Sequence, residues 1–258
     1  MIKTREKTRS IAAAVTLALI LSLAGVLVAA ELQAIKLNPP DLKRGLPFMQ
    51  ALAVRASVRE FAEKDLSLQD LSDLLWAADG MSRPAENKST APSAMNAHDI
   101  RIYVFTKEGA YLYDSPKHEL LPVLAGDFRS QLMMARPPRP ATSPAPATSA
   151  PAGVTPTAPQ AAAAPVPPPP PPPTPSIPPV QIVLVSDGDR FTRGYPERKF
   201  EWGALDAGIV SQNISLFCAA TGLKTVPRAL IDKARIKELL KLADTQNVFL
   251  NHPVGYAK

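Results

Sequence analysis

The spacing of hydrophobic residues along the chain predicts two prominent helices. Between residues 68 and 78, apolar side chains recur every three or four positions, which is the spacing of one helix face. Ser67 and Asp70 stand at the start of this stretch in the arrangement of a capping box. Residues 203–220 are apolar on nearly every side and are followed by Gly222, which predicts a central helix surrounded by protein.

Strands are predicted where apolar residues alternate or run continuously. Residues 101–106 alternate, residues 107–109 form a turn and residues 110–114 return, as in a hairpin. Residues 180–186 form a continuous apolar run of the kind found in buried strands, and residues 247–250 form a final strand. Together with the helices, these strands predict an α+β fold.

Other helices have weaker signals. Asp232 can cap a last helix, with Ile231 and Ile236 placed as a hydrophobic staple. Three further helical stretches are predicted at residues 46–55, 119–125 and 127–135.

The N-terminus has the pattern of an export signal. Four basic residues within the first ten precede an apolar run at residues 11–30, which ends in small residues before Glu31. A cleaved signal peptide over residues 1–30 is the favoured interpretation, and an uncleaved membrane anchor is the alternative. Either one places the rest of the chain outside the cytoplasm, in the periplasm or anchored facing it.

Composition divides the exported part into segments. Residues 31–43 are predicted to be a linker, and residues 44–136 and 180–258 to be two parts of one domain. Between them, residues 137–179 consist largely of Pro, Ala, Thr and Ser, with seven consecutive prolines at 167–173. Such a sequence cannot bury enough apolar surface to fold, so a disordered insertion is predicted, available for protein or cell-envelope contacts.

Charge and cysteine content exclude several classes of function. The net charge of +6 falls to +3 when the first ten residues are removed, so the domain lacks the basic surface of a nucleic-acid-binding protein. Cys218 is the only cysteine and lies in an apolar run, which favours a core thiol over a nucleophile. The three histidines have no metal-ligand spacing, and no metal site is predicted.

Arg55, Ser57 and Arg59 are the first candidate for binding chemistry. A guanidinium group presents a planar fork to two phosphate oxygens, and a serine hydroxyl can donate to a third. The same pattern also occurs in solvated surface turns, so it is weak when taken alone.

Several motifs in order along the chain strengthen this interpretation. They are RASVREF at 55–61, LSDLLWAA at 71–78, APSAMN at 91–96, GAYLYD at 109–114, SQN at 211–213, AATGL at 219–223 and VGY at 254–256. Together they resemble the nitroreductase family of FMN-dependent oxidoreductases, and within it the azoline (thiazole and oxazole) dehydrogenases. The resemblance implies a central, mainly antiparallel sheet flanked by helices, in an intertwined homodimer with FMN at the interface.

The resemblance also implies roles for individual residues. Arg55 and Ser57 match positions that bind the FMN phosphate, and Arg59 matches a basic position near flavin N1 and O2. A loop that reaches the flavin from the partner subunit corresponds to Pro92, Ser93, Ala94 and Asn96. Residues 226–230, including Arg228, Ala229 and Leu230, match a segment whose backbone approaches flavin N5, and Lys258 matches a C-terminal basic position.

Two positions depart from the family pattern. A glutamate that some members carry beside N5 is Ala229 here, and the Gly-Tyr-Pro ending of the family reads Gly255-Tyr256-Ala257. No side chain is assigned as a certain catalytic group, because the flavin ring carries the hydride.

The favoured function is an exported FMN-dependent oxidoreductase that transfers hydride between a small organic substrate and an electron donor or acceptor. One alternative is a non-catalytic nitroreductase-like dimer that displays the proline-rich arm. Another is a cytoplasmic nitroreductase whose apolar N-terminal run is buried in the fold; the length of that run argues against it.

Overall fold

A computed structural model describes residues 32–132 and 177–258 of the chain. The predicted export signal at residues 1–30 and most of the predicted proline-rich insertion lie outside these ranges. Within the described ranges, no helix is long and apolar enough to cross a membrane.

Helices and strands alternate irregularly along the described residues. The helices are α1 Phe48–Val54, α2 Leu68–Asp79, α3 Lys199–Thr221 and α4 Lys233–Leu240. The strands are β1 Ile35–Lys36, β2 Met81–Arg83, β3 Lys88–Ser89, β4 Ile100–Phe105, β5 Gly109–Asp114, β6 Glu119–Ala125, β7 Val180–Asp187, β8 Lys224–Thr225 and β9 Gln246–Gly255.

An antiparallel sheet forms the centre of the described structure. Seven strands follow the order β1-β6-β5-β4-β7-β9-β8, and β2 pairs with β3 in a separate hairpin. The predicted α+β fold, with helices flanking a mainly antiparallel sheet, is confirmed. One core lies where α2 and α3 pack against the sheet, and a second lies under α4.

The helices predicted most clearly from the sequence form as expected. Ser67 caps α2 by accepting a hydrogen bond from the amide of Asp70 over 3.0 Å. Helix α3 begins four residues before the predicted start and ends at Gly222, whose φ of 82° lies in the left-handed region that favours glycine. Cys218 is buried on this helix, and burial raises the pKa of its thiol, as expected for a core residue.

The predicted helix at residues 119–125 is wrong, because these residues form β6. Pro122 has no amide hydrogen and is unsuited to the middle of a helix. In the sheet, β1 pairs only with Glu119 and Leu120, so the rest of β6 is an edge where proline is tolerated.

Two segments near the limits of the described ranges also differ from their predictions. The predicted helix at 127–135 is a short 3₁₀ turn at Arg129–Leu132 in the described residues. The predicted linker at 31–43 contributes β1, and Leu37 is buried in the core. Strand pairing and apolar burial therefore join this segment to the domain.

Described residues on either side of residues 133–176 are bonded to each other. Arg129 donates hydrogen bonds to the carbonyl oxygens of Pro178 and Pro179 over 3.2 and 3.1 Å. Pro178 and Pro179 are buried. These two residues therefore belong to the domain, and the predicted insertion at 137–179 extends at least two residues too far.

Candidate functional site

Backbone hydrogen bonds attach the segment at residues 55–59 to strand β8 and to the C-terminal residues. Helix α1 ends at Val54, and the amide of Val58 then donates to the carbonyl oxygen of Thr225 in β8 over 2.9 Å. A second backbone hydrogen bond joins Ala62 to the carbonyl oxygen of Tyr256 over 3.1 Å. These bonds fix the backbone, while the side chains of Arg55, Ser57 and Arg59 remain exposed.

Arg228 brings a further guanidinium group to this edge. Its backbone pairs with Asn251 of β9 through hydrogen bonds of 2.8 and 2.9 Å. Burial, and repulsion from Arg59, lower the pKa of Arg228. Two cations are therefore held close enough to repel each other, and a bound anion would relieve that repulsion.

Lys258 lies two residues beyond the anchored Tyr256. The phenol of Tyr256 donates to Asp70, and its carbonyl oxygen accepts from Ala62 of the neighbouring segment. The C-terminal lysine is exposed and follows a residue that is bonded to the segment after Arg59. We call Arg55, Ser57, Arg59, Arg228 and Lys258 the cationic edge.

The backbone of residues 226–230 has free donors beside this edge. Within residues 32–132 and 177–258, the amide of Arg228 is bonded to Asn251, whereas the amides of Ala229 and Leu230 have no acceptor. Both residues are exposed. These two N–H groups can therefore donate to a ligand.

The loop at residues 92–96 is braced in an unusual backbone conformation. Met95 and Asn96 have φ values of 53° and 56°, in the left-handed region. The amide of Ala94 donates to Asp206 Oδ2 over 2.8 Å, and the amide of His98 donates to Ser93 Oγ over 2.9 Å. The loop is therefore held in place from both sides.

His98 bonds within this region. Its Nε2 lies 3.0 Å from the carbonyl oxygen of Asn87. Gln131 accepts hydrogen bonds from Arg235. Asn213 donates to the carbonyl oxygen of Ala78 over 3.2 Å and so ties α3 to α2.

A buried acidic group behind the 92–96 loop was missed from the sequence. Ser186 donates to Asp99 Oδ2 over 2.6 Å, and Asp206 on α3 holds Ala94. Burial, together with the nearby Asp206, raises the pKa of Asp99 to about 7. An aspartate in the middle of the apolar α3 sequence was the signal available for Asp206.

Within one chain, the 92–96 loop and the 55–59 segment lie at opposite ends of β7, whereas Arg228 pairs with Asn251 at the level of Val183, between them. Thr225 is in register with Val254 and Val180, whereas Ile100, just after the loop, is in register with Ser186. Six residues of β7 separate these levels, or roughly 20 Å at about 3.3 Å per residue. The structure therefore does not bring the 92–96 loop and the 55–59 segment together in a single chain.

Comparison with known proteins identifies the family. The model of the family described as "Nitroreductase family" matches residues 52–256, which include the 55–59 segment, the 92–96 loop and Arg228. The chain belongs to the nitroreductase family. It is therefore an oxidoreductase of the nitroreductase type.

Relatives from two organisms agree with this assignment. A candidate nitroreductase of Methanocaldococcus jannaschii is 26% identical over 222 residues, covering 84% of this chain and 93% of the relative. The crystal structure of a candidate nitroreductase from Ralstonia eutropha JMP134 has 27% identity and a TM-score of 0.68, covering 89% of this chain and 91% of that one.

The fold also occurs in a chain of the E. coli microcin synthetase McbBCD complex with truncated pro-MccB17 bound. The identity is 14% and the TM-score 0.57, with 91% of this chain and 83% of that chain covered. This likeness concerns the fold.

Proposed function

We propose that this nitroreductase-family protein uses FMN to transfer hydride between a small organic substrate and an electron donor or acceptor. The observation that carries the proposal is the cationic edge, where backbone hydrogen bonds attach the 55–59 segment to β8 and Arg228 to the neighbouring β9. A donor set of guanidinium groups, a hydroxyl and free amides fits a phosphate-bearing cofactor.

Residues of the edge and the segment beside it contact different parts of FMN in this proposal. Arg55 and Ser57 bind the phosphate, with Lys258 near it. Arg59 places positive charge beside the N1 and O2 atoms, where negative charge accumulates on reduction. The free amides of Ala229 and Leu230 orient N5. Bound FMN supplies the ring that accepts and returns hydride.

A homodimer completes this site. Because the 92–96 loop lies at the far end of β7 from the 55–59 segment of its own chain, the loop of a second subunit would meet the flavin. Large apolar side chains are also exposed on two helices that contact each other, α1 and α3. They are Phe48, Met49, Leu205 and Ile209, exposed by 65%, 74%, 59% and 36%. Such exposure is typical of a subunit interface.

Purification of the chain without residues 1–30 tests the cofactor. We expect a yellow dimer that releases FMN on denaturation. A colourless protein that fails to bind added FMN would instead support a non-catalytic module displaying its proline-rich arm.

Leu205→Glu is expected to yield a colourless monomer, and Lys107→Glu at the exposed β4–β5 turn is the control that stays dimeric and yellow.

The order of the motifs leads us to place the protein near the azoline dehydrogenases. An azoline dehydrogenase removes hydride and a proton from a thiazoline or oxazoline ring and leaves the aromatic azole. The test is incubation of the flavin-loaded protein with a thiazoline-containing peptide and an electron acceptor. We expect the peptide to lose the mass of two hydrogens per ring. An unchanged mass would contradict the assignment to the azoline dehydrogenases.

We further propose that the protein is exported, on the basis of the basic and apolar pattern of residues 1–30. An exported enzyme has no access to cytoplasmic NAD(P)H, so it would need another electron donor or would pass electrons onward as a dehydrogenase. A reporter that is active only in the periplasm, fused after Lys258, should be active. A reporter active only in the cytoplasm should be silent, and the reverse pattern would restore NAD(P)H as donor.

A further inference from the structure

The β2–β3 hairpin and the 92–96 loop enclose a cavity of about 410 Å³. Its lining includes two basic side chains and several hydrogen-bonding ones: Arg83, Lys88, Ser89, Thr90, Ser93 and Asn96. Because Ser93 and Asn96 belong to the loop that the proposed function places beside the flavin, this cavity would lie next to the reacting ring.

One positive charge in the cavity is not balanced. Arg83 pairs with Glu86, with Nε 3.2 Å from Oε2. Lys88 is half-buried, and its ammonium donates to the neutral amide oxygen of Asn96 over 2.7 Å. Among the residues that the structure describes, no carboxylate forms an ion pair with Lys88. Partial burial of an unpaired charge is unfavourable, and a bound anion would offset it.

The hydroxyl groups of the lining divide into engaged and available donors. Ser89 donates to the carbonyl oxygen of Ala91, and Thr90 donates to carbonyl oxygens at the end of α2. Ser93 Oγ accepts from the amide of His98, which leaves its own hydrogen free to donate within the described structure. Lys88 keeps two further N–H groups. The cavity thus offers donors on two sides and a single net positive charge.

We propose that this cavity binds a carboxylate group of the substrate, held by Lys88 and Ser93. The proposal rests on the proposed function, because it uses the 92–96 loop as the wall of the flavin pocket. A carboxylate carries one negative charge and two acceptor oxygens, which matches the charge and the donors available. A phosphate monoester would bring a second negative charge that the paired Arg83 does not balance.

Lys88 could instead serve only to hold Asn96 in its left-handed conformation. Lys88→Gln separates these two roles, since a glutamine amide can still donate to Asn96 Oδ1 but carries no charge. A purely structural lysine would affect all substrates alike. A lysine that binds a carboxylate would affect anionic substrates selectively.

The experiment compares three nitroarenes with photoreduced, flavin-loaded full-length protein under anaerobic conditions. The probes are 4-nitrobenzoate, neutral 4-nitrobenzamide and 4-nitrophenyl phosphate. Each nitro group takes two electrons and two protons, becomes a nitroso group and releases water. The second-order rate constant of flavin reoxidation is measured for wild type, Lys88→Gln and the control Lys107→Gln.

In wild type, 4-nitrobenzoate is expected to react faster than both other probes. Loss of one charge-assisted hydrogen bond should reduce its advantage over 4-nitrobenzamide about tenfold in Lys88→Gln. Lys107→Gln, altered in the exposed β4–β5 turn, should keep the wild-type ratio. An unchanged ratio in Lys88→Gln, or a preference for the phosphate probe in wild type, would overturn the proposal.

A flavin-independent measurement separates this inference from the proposed function. Calorimetric titration of benzoate into the full-length chain should show about tenfold weaker binding for Lys88→Gln than for wild type. If the protein contains no flavin but this difference appears, the proposed function fails and the carboxylate site stands. If flavin is bound and both proteins bind benzoate equally, the site is wrong and the proposed function stands.

Discussion

The amide of Val58 donates a hydrogen bond of 2.9 Å to the carbonyl oxygen of Thr225. This bond connects the 55–59 segment to β8, and the side chain of Thr225 in that strand is anchored in the core. Thr225 Oγ1 donates to the carbonyl oxygen of Pro253 over 2.9 Å and lies 3.2 Å from His252 Nδ1. The position of the candidate phosphate-binding arginines therefore depends on a buried polar network.

The two arginines of the segment should differ in their effects on FMN. Arg55→Ala removes a charge-assisted hydrogen bond worth roughly 1.5–3 kcal/mol, so FMN affinity should fall about 10- to 150-fold. Arg59→Ala should lower the reduction potential of bound flavin, because the negative charge that it faces exists mainly in the reduced state. Both variants are measured by FMN titration and by redox titration.

Ser57→Ala serves as the milder comparison, since a neutral hydrogen bond contributes roughly 0.5–1.5 kcal/mol. If Arg59→Ala weakened FMN binding and left the potential unchanged, the division of roles would be wrong. Both arginines would then be phosphate ligands.

Thr225→Val should destabilise the domain and disturb the cationic edge together. The substitution preserves shape but leaves the buried carbonyl oxygen of Pro253 without its donor, which costs roughly 1–3 kcal/mol. Chemical denaturation should show this loss in the free energy of unfolding, and FMN should bind more weakly. Thr221→Val is the matched control, because Thr221 bonds only the carbonyl oxygen of Phe217 within its own helix. Equal stability of the two variants would contradict the prediction.

Asp79→Asn should stabilise the protein at high pH. Burial raises the pKa of Asp79 from 3.8 to about 7, with a smaller contribution from Asp206 and opposition from Ser89 and Arg190. Between pH 3.8 and about 7, the Asp79 carboxyl group keeps its proton in the folded state but has lost it in the unfolded state. The free energy of unfolding therefore falls as the pH rises through this range. Above pH 7 the penalty is complete, because the carboxyl group is then ionised in both the folded and the unfolded state.

The measurement for Asp79→Asn is the free energy of unfolding at pH 4 and pH 8. We expect a gain of up to about 4 kcal/mol at pH 8 and almost none at pH 4. Asp244→Asn, at an exposed position, should show no such difference between the two pH values. An equal gain for Asp79→Asn at both pH values would indicate an effect other than titration.

Replacement of residues 137–176 by a short Gly/Ser linker should preserve flavin and dimer. Arg129 bonds Pro178 and Pro179, so described residues on either side of the replaced segment are already close and a short linker can join them. Loop-closure entropy changes only slowly with length. Analytical ultracentrifugation and the flavin absorbance check the outcome, and loss of either property would show that the insertion is part of the fold.

Arg129→Ala in the shortened chain probes the junction. It should destabilise the domain because the buried carbonyl oxygens of Pro178 and Pro179 lose their donor. Arg235→Ala, which removes an exposed bond to Gln131, is the control of similar size.

Local patterns in the sequence determined most of the elements. The apolar spacing after Ser67 placed α2, the apolar run before Gly222 placed α3, and alternation placed the β4–β5 hairpin, because these signals come from contacts between near neighbours. The family motifs placed the candidate residues of the cationic edge and the 92–96 loop. The helix predicted at 119–125 failed because β6 exists only through pairing with β5 and β1, which no local pattern reveals.

Tertiary structure alone decided which distant residues meet. It placed Arg228 near Arg59, attached Val58 to Thr225, and buried Asp99 and Asp206 behind the 92–96 loop. It also separated that loop from the 55–59 segment by six residues of β7. These relationships depend on strand register and on helix packing across more than a hundred residues of sequence, and a one-residue change of register would turn each side chain to the other face.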